Sequence, residues 1–226
     1  MNNKILIVIS TLFINYSCTS KLECNDLQYK YFDLVNNLKT EKDKIIFEDQ
    51  INMLLNEDSK CVKAYQIRGD LRLGKNDYKG SKDDFMKAYL LSSSNVYSLY
   101  SLATLFNLEG NNDSALFYIS NAIKSKSADG YFIDTNDHFS RKFDIPFNEL
   151  LFFRAIVLYE SGRFNLSKND IFASLKYGHE KQEAYEYLIK INMNLEFKDS
   201  ACYYSNKALK EGIHLQMDST LNAICK

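Results

Sequence analysis

Residues Tyr65–Leu91 read YQIRGDLRLGKNDYKGSKDDFMKAYLL. Gly69 is followed twelve residues later by Ser81, sixteen later by Phe85 and nineteen later by Ala88. Two helices that cross closely need small residues where their backbones approach and a bulky one to fill the space beside them. The same stretch contains Arg68-Gly69-Asp70, which in an exposed loop would read as an adhesion motif. On a helix three consecutive side chains point in different directions, so this tripeptide is not an adhesion loop.

The pattern recurs. A step of 34 residues from the first set reaches Ala103, Ala115, Ile119 and Ala122, and a third copy lies at Ala155, Ser167, Ile171 and Ser174. A fourth lies at Ile189, Ala201, Ser205 and Ala208, where Ile189 and Ser205 depart from the small and bulky types. Between the second and third copies the step is 52 residues, an insertion of 18. With first places at Val62, Val96, Asn148 and Gln182, the fourth place holds Tyr65, Leu99, Leu151 and Tyr185. Gly110, Gly162 and Asn76 fall in the turn between the two helices of a copy, where a left-handed backbone suits Gly or Asn.

This arrangement resembles the tetratricopeptide repeat (TPR), a helix–turn–helix unit of 34 residues. The Pro usual at place 32 is replaced by Ser93, Ser127, His179 and Ile213. The resemblance implies an all-α protein, an α-solenoid of TPR-like hairpins. Residues 62–129 form repeats 1 and 2, 130–147 the insertion, and 148–215 repeats 3 and 4. Residues 21–61 have apolar side chains at helical spacing (Tyr31, Leu34, Leu38, Phe47, Ile51, Leu54) without the small crossing set, and read as a degenerate first hairpin. Residues 216–226 read as a C-terminal capping helix, covering the last apolar face.

Composition agrees with a helical protein: 226 residues with one Pro, eight Gly, no Trp, sixteen Tyr and fifteen Phe. A net charge of −1 gives no electrostatic case for binding nucleic acid. The first twenty residues, MNNKILIVISTLFINYSCTS, place Lys4 before an apolar run from Ile5 to Ile14, the order of a signal peptide. The run is about half as long as a membrane-spanning helix requires. Its end, NYSC, resembles the lipobox of bacterial lipoproteins, with Ser17 before Cys18 and Asn15 where that family usually has Leu. The resemblance implies lipidation at Cys18 and membrane attachment through that lipid, on an outer-membrane protein facing the periplasm or the cell surface. The alternative is cleavage after Ser20, giving a soluble exported protein.

Four further cysteines are spaced symmetrically. Cys24 and Cys61 are centred on the TEKDK segment, and Cys202 and Cys225 on EGIH. Residues equidistant from the turn of a helical hairpin lie opposite each other, so the expected bridges are Cys24–Cys61 and Cys202–Cys225, stapling the two ends of the array. Free buried thiols are the alternative.

No phosphate loop, dinucleotide turn, nucleophile elbow or zinc spacing occurs, so no catalytic residue, metal or cofactor is assigned. In the insertion, Asp134, Asn136, Asp137 and His138 could gather around a cation, but lack the Gly and distal Glu of a calcium loop. Its rings are expected to fold back on the solenoid. The TPR resemblance directs attention to the concave surface, lined by places 2, 5, 9 and 12 of each first helix. Its middle is aromatic, with Tyr97, Tyr100, Phe152, Ile156 and Tyr159, and its ends are charged, Asp70 among them. A non-catalytic scaffold binding a protein or peptide segment in the bacterial cell envelope is the reading this supports. Rival readings are a component of outer-membrane protein assembly and a lipoprotein capturing a glycan or small nutrient. The same rings could instead pack on one another.

Overall fold

The structure, a computed structural model, describes residues 22–36, 40–128, 144–215 and 225. The expected signal segment with Cys18, residues 130–143 of the insertion, and the expected capping helix apart from Cys225 lie outside the described residues.

The described chain is helical throughout its regular structure: α1 (Leu27–Asn36), α2 (Glu41–Glu57), α3 (Val62–Gly74), α4 (Tyr78–Leu91), α5 (Val96–Leu108), α6 (Asn112–Ala128), α7 (Phe147–Glu160), α8 (Phe164–Lys176), α9 (Lys181–Asn194) and α10 (Lys198–Lys210). Helices pack in sequence order, first within the pairs α3/α4, α5/α6, α7/α8 and α9/α10, then between successive pairs. That is the contact pattern of a solenoid, in which each unit touches only its neighbours. Short polar side chains start several of the helices. Asp77 accepts from the Gly80 amide, Asn95 from Ser98, and Asn111 from Ser114, while Thr40 and Asp43 form a reciprocal capping box on α2.

The crossing residues are where the period places them. Gly69, Ser81, Ala88, Ala103, Ala115, Ala122, Ala155, Ser167 and Ser174 are all buried, and so are the bulky Phe85, Ile119 and Ile171. The Ser167 hydroxyl donates to the Ala155 carbonyl at 2.7 Å, so in the third copy the two small places touch directly. Gly69 lies under the ring of Phe85, which fixes places 8 and 24 as facing positions. In the fourth copy these places carry Ile189 and Ser205, both buried. What reads in sequence as two lost matches is an exchange of large for small between the two places that face each other in the first copy, which keeps their combined volume.

Every repeat makes the same turn at place 15. Asn76, Gly110, Gly162 and Glu196 all have φ between 61° and 73°. Each is flanked by the same two hydrogen bonds, as in Asn76 N–H to Leu73 O and Asp77 N–H to Arg72 O. Glycine takes this conformation without strain. Glu196 takes it because the repeat requires it.

Two bridges close the ends. Cys24 and Cys61 are bonded with their Cα atoms 5.8 Å apart, and Cys202 and Cys225 with theirs 5.2 Å apart. The first joins the segment before α1 to the N-cap of α3, so it spans the whole α1/α2 hairpin. Cys61 is buried in the cluster of Leu27, Phe47, Ile51 and Ile67. The midpoint between these two cysteines falls inside α2 rather than in the turn, because the stretch linking α2 to α3 belongs to the symmetric interval as well.

Candidate functional site

The residues expected to line the groove divide into two groups. Tyr97 and Phe152 are buried, 9% and 4% exposed, and therefore do not line an open groove as expected. Tyr97 sets its ring edge-on to Phe85 at 6.2 Å, and its hydroxyl donates to both carboxylate oxygens of Asp70 at 2.8 and 2.7 Å. The Tyr31 hydroxyl donates to the same carboxylate at 3.3 Å. Asp70 thus ties α1, α3 and α5 together. Burial pushes both phenols well above the ordinary tyrosine range, and the charge of Asp70 pushes them further. Phe152 stacks on His179 with ring centroids 3.8 Å apart. A large ring at these places gains more from packing against the next repeat than from facing water.

Arg68 and Gly69 are committed to packing as well. The Arg68 guanidinium pairs with Asp84 through two hydrogen bonds of 2.9 and 2.6 Å and donates to Asn52, and Gly69 accommodates Phe85. All three residues of the Arg-Gly-Asp tripeptide hold helices together. An equivalent pair, Arg154 with Asp170 at 2.6 and 2.8 Å, occupies the same places 7 and 23 of the third copy. The second and fourth copies have Leu102 with Tyr118 and Leu188 with Tyr204 there.

The second group stays half-buried and faces outward: Tyr100 on α5, with Ile156 and Tyr159 on α7. Tyr187 on α9, which the sequence reading missed because it lies at place 6, joins them. Tyr159 and Tyr187 meet edge to face at 5.5 Å, Tyr187 meets Phe152 in the same way at 5.5 Å, and Tyr100 meets Phe153 at 5.3 Å. Asn194 donates to the Tyr159 hydroxyl at 3.1 Å, and the Lys190 ammonium lies 4.8 Å from the centre of the Tyr187 ring. Carboxylates border the patch. Burial raises the Tyr187 phenol, and Glu160, Glu183 and Glu186 raise it further; Glu149 acts in the same way on Tyr100.

At one end of the patch is His179, buried at place 32. Its two ring nitrogens lie 3.7 Å from Glu149 and 3.3 Å from Glu183, and neither makes a hydrogen bond. The Pro usual at this place would have none of these contacts; its replacement by His was the signal available in sequence. Elsewhere, a cleft of about 440 Å³ opens beside the paired Arg154 and Asp170, and one of about 530 Å³ lies between Gly178–Gln182 and Gly212–His214. Among the described residues, no three His, Cys, Asp or Glu side chains are grouped to hold a metal, and no helix is long and apolar enough to cross a membrane. The arrangement is a half-buried surface with an aromatic middle and an acidic border.

No protein-family model matches the chain, and no curated protein matches it. Solved structures do. A crystal structure of MamA matches with a TM-score of 0.64 and 13% identity, covering 82% of this chain and 92% of that one. YrrB, a TPR protein with an unusual peptide-binding site, matches with a TM-score of 0.62 and 20% identity over 85% and 88%. PilW, a widely conserved type IV pilus biogenesis factor, matches with a TM-score of 0.64 and 15% identity over 85% and 79%. At these identities the likeness is one of fold, and the chain is an all-α solenoid of TPR-like hairpins.

Proposed function

We propose that the chain is a non-catalytic interaction scaffold that holds a segment of a protein partner against Tyr100, Ile156, Tyr159 and Tyr187. The observation that carries this reading is the half-buried aromatic patch, placed on three successive first helices and braced from behind by Phe152 and Phe153. Rings held rigid and partly open offer contact area at little entropic cost, which is the character of interface anchors. The peptide-binding site of YrrB, a fold relative, is a precedent for such a role.

The setting we propose is the bacterial cell envelope, with Cys18 lipidated and the solenoid outside the cytoplasm. Two end-stapling disulfides are at home in an oxidising compartment. A photo-crosslinking residue in place of Tyr159 or Tyr187, in the protein expressed in its host, tests the patch. The same residue in place of Phe172 or Leu209, exposed on α8 and α10, is the control. Adducts with one defined protein from the first pair alone are expected. Equal adducts from both pairs would overturn the proposal.

A further inference from the structure

We infer that the segment held at this patch is basic, its lysine or arginine side chains lying against Tyr159 and Tyr187 within reach of Glu160 and Glu186. The inference rests on the patch being the contact surface, and adds the chemistry of what it contacts.

Charge bookkeeping across the molecule carries it. On other surfaces, several acidic side chains between helices have basic partners: Lys75 with Glu48, Lys82 with Glu109, Lys181 with Glu211 and Arg163 with Asp113. At the patch this pairing fails. Among the described residues, Glu149, Glu160, Glu183 and Glu186 have no lysine or arginine within salt-bridge distance, and His179 is the only partner of Glu149 and Glu183. Glu186 accepts a long 3.4 Å bond from Gln182. Glu160 follows Tyr159 and Glu186 precedes Tyr187, the two rings that meet edge to face; in keeping with this, Glu160, Glu183 and Glu186 raise the Tyr187 phenol, and Glu149 raises that of Tyr100.

An aromatic face carries negative potential of its own, so rings bordered by carboxylates make a site for a cation. The chain's own Lys190 reports this preference by setting its ammonium over the Tyr187 ring. One lysine does not offset four carboxylates. An incoming lysine or arginine would gain ring contact and a charge-assisted hydrogen bond together. An acidic segment, or a C-terminal carboxylate, would meet like charges across the whole patch.

Three synthetic peptides of one leucine and alanine frame, with lysine, glutamate or glutamine at the same positions, are the probes. Binding to the oxidised protein is read by fluorescence anisotropy. The lysine peptide is expected to bind about ten-fold tighter than the glutamate peptide, and to weaken as salt rises. Glu160→Gln with Glu186→Gln, isosteric changes at the surface, should weaken it by about five-fold, while Lys190→Ala should tighten it. Equal binding of all three peptides, abolished by Tyr187→Leu or Tyr159→Ala in folded protein, would overturn the charge inference and leave the patch standing. Undiminished binding of the lysine peptide to the double glutamine variant would overturn it in the same way. If no peptide binds, or if Tyr187→Leu and Tyr159→Ala leave the lysine peptide unaffected, the patch proposal falls and takes the inference with it.

Discussion

Gly69→Ala tests the packing that defines the repeat. A Cβ built on Gly69 would stand 3.0 Å from Cε2 and Cζ of Phe85 and 3.2 Å from Cε1. Ordinary carbon contacts begin near about 3.5 Å, so the ring, which is fully buried, would have to shift by a few tenths of an ångström. Two terms oppose each other. Alanine is preferred to glycine inside a helix by about 1 kcal/mol. Forcing an extra carbon into a packed core costs about 1–3 kcal/mol. The expected net loss is about 1 kcal/mol, a fall in Tm of about 2–4 °C for a chain of this length.

The control lies in the same helix. A Cβ on Gly74 would meet nothing within 4 Å, so Gly74→Ala should stabilise by up to about 1 kcal/mol. Urea unfolding followed by circular dichroism measures both. Phe85→Leu should recover part of the Gly69→Ala loss, giving a coupling of about 1 kcal/mol in a double-mutant cycle. Ile189 and Ser205, buried at the same two places of the fourth copy, show the same exchange of large for small. If Gly69→Ala stabilised as much as Gly74→Ala, place 8 would not be a close crossing, and space between backbones would not set the register.

Three further outcomes follow from the same structure. Asp84, only 3% exposed, takes hydrogen bonds from both Arg68 and Arg72, whereas the more open Asp170 serves Arg154. Asp84→Asn should therefore cost about 2–4 kcal/mol and Asp170→Asn about 1–2 kcal/mol in urea unfolding, and equal losses would contradict this ranking. The two bridges close intervals of 37 and 23 residues, so reduction should remove about 3–4 kcal/mol for each. Melting with and without reductant measures this, and recovery of unbridged Cys24–Cys61 or Cys202–Cys225 peptides from oxidised protein would exclude it. At alkaline pH, Tyr31, Tyr97 and Tyr185 stay protonated in the folded state, Tyr185 up to about 12, while the unfolded chain ionises near 10.0. Folded pKa values raised above the unfolded ones mean that this stabilisation is complete below pH 10 and lost as pH rises beyond it. Ionisation of Tyr31, Tyr97 and Tyr185 should therefore lag that of the exposed phenols and complete together with loss of helix signal; full tyrosinate absorbance with helix intact would show the network to be absent.

What sequence discloses here depends on how many alternatives each position has. Places 8, 20 and 27 were legible because few side chains fit between crossing backbones, and Gly110 and Gly162 because few residues accept a positive φ at place 15. Where a large residue could satisfy the pattern in two ways, the letters were ambiguous. Tyr97 and Tyr100 lie three residues apart on one helix; the first is buried over Phe85 and Asp70, while the second remains half-open. The distinction depends on Asp70 and Tyr31, which belong to other helices. A ring's direction is a property of its neighbours across the repeat boundary, and the register alone does not specify them.

The Arg68–Asp84 and Arg154–Asp170 pairs show what the period could have revealed. Places 7 and 23 change together, from Arg with Asp in the first and third copies to Leu with Tyr in the second and fourth. Such joint change marks a contact, because one charge left without the other inside a hairpin is strongly unfavourable. Comparison of the copies within this one chain therefore locates that contact between the two helices. The acidic border has no such internal echo. Glu149 and Glu183 share place 2, but Lys63 and Tyr97 occupy it in the first two copies. A feature that the repeat does not need, confined to α7 and α9, is not explained by folding. That is the reason for testing Glu160 and Glu186 by binding rather than by stability: if they serve only the fold, their glutamine variants should change the melt, and if they serve a basic partner, the melt should stay and the affinity fall.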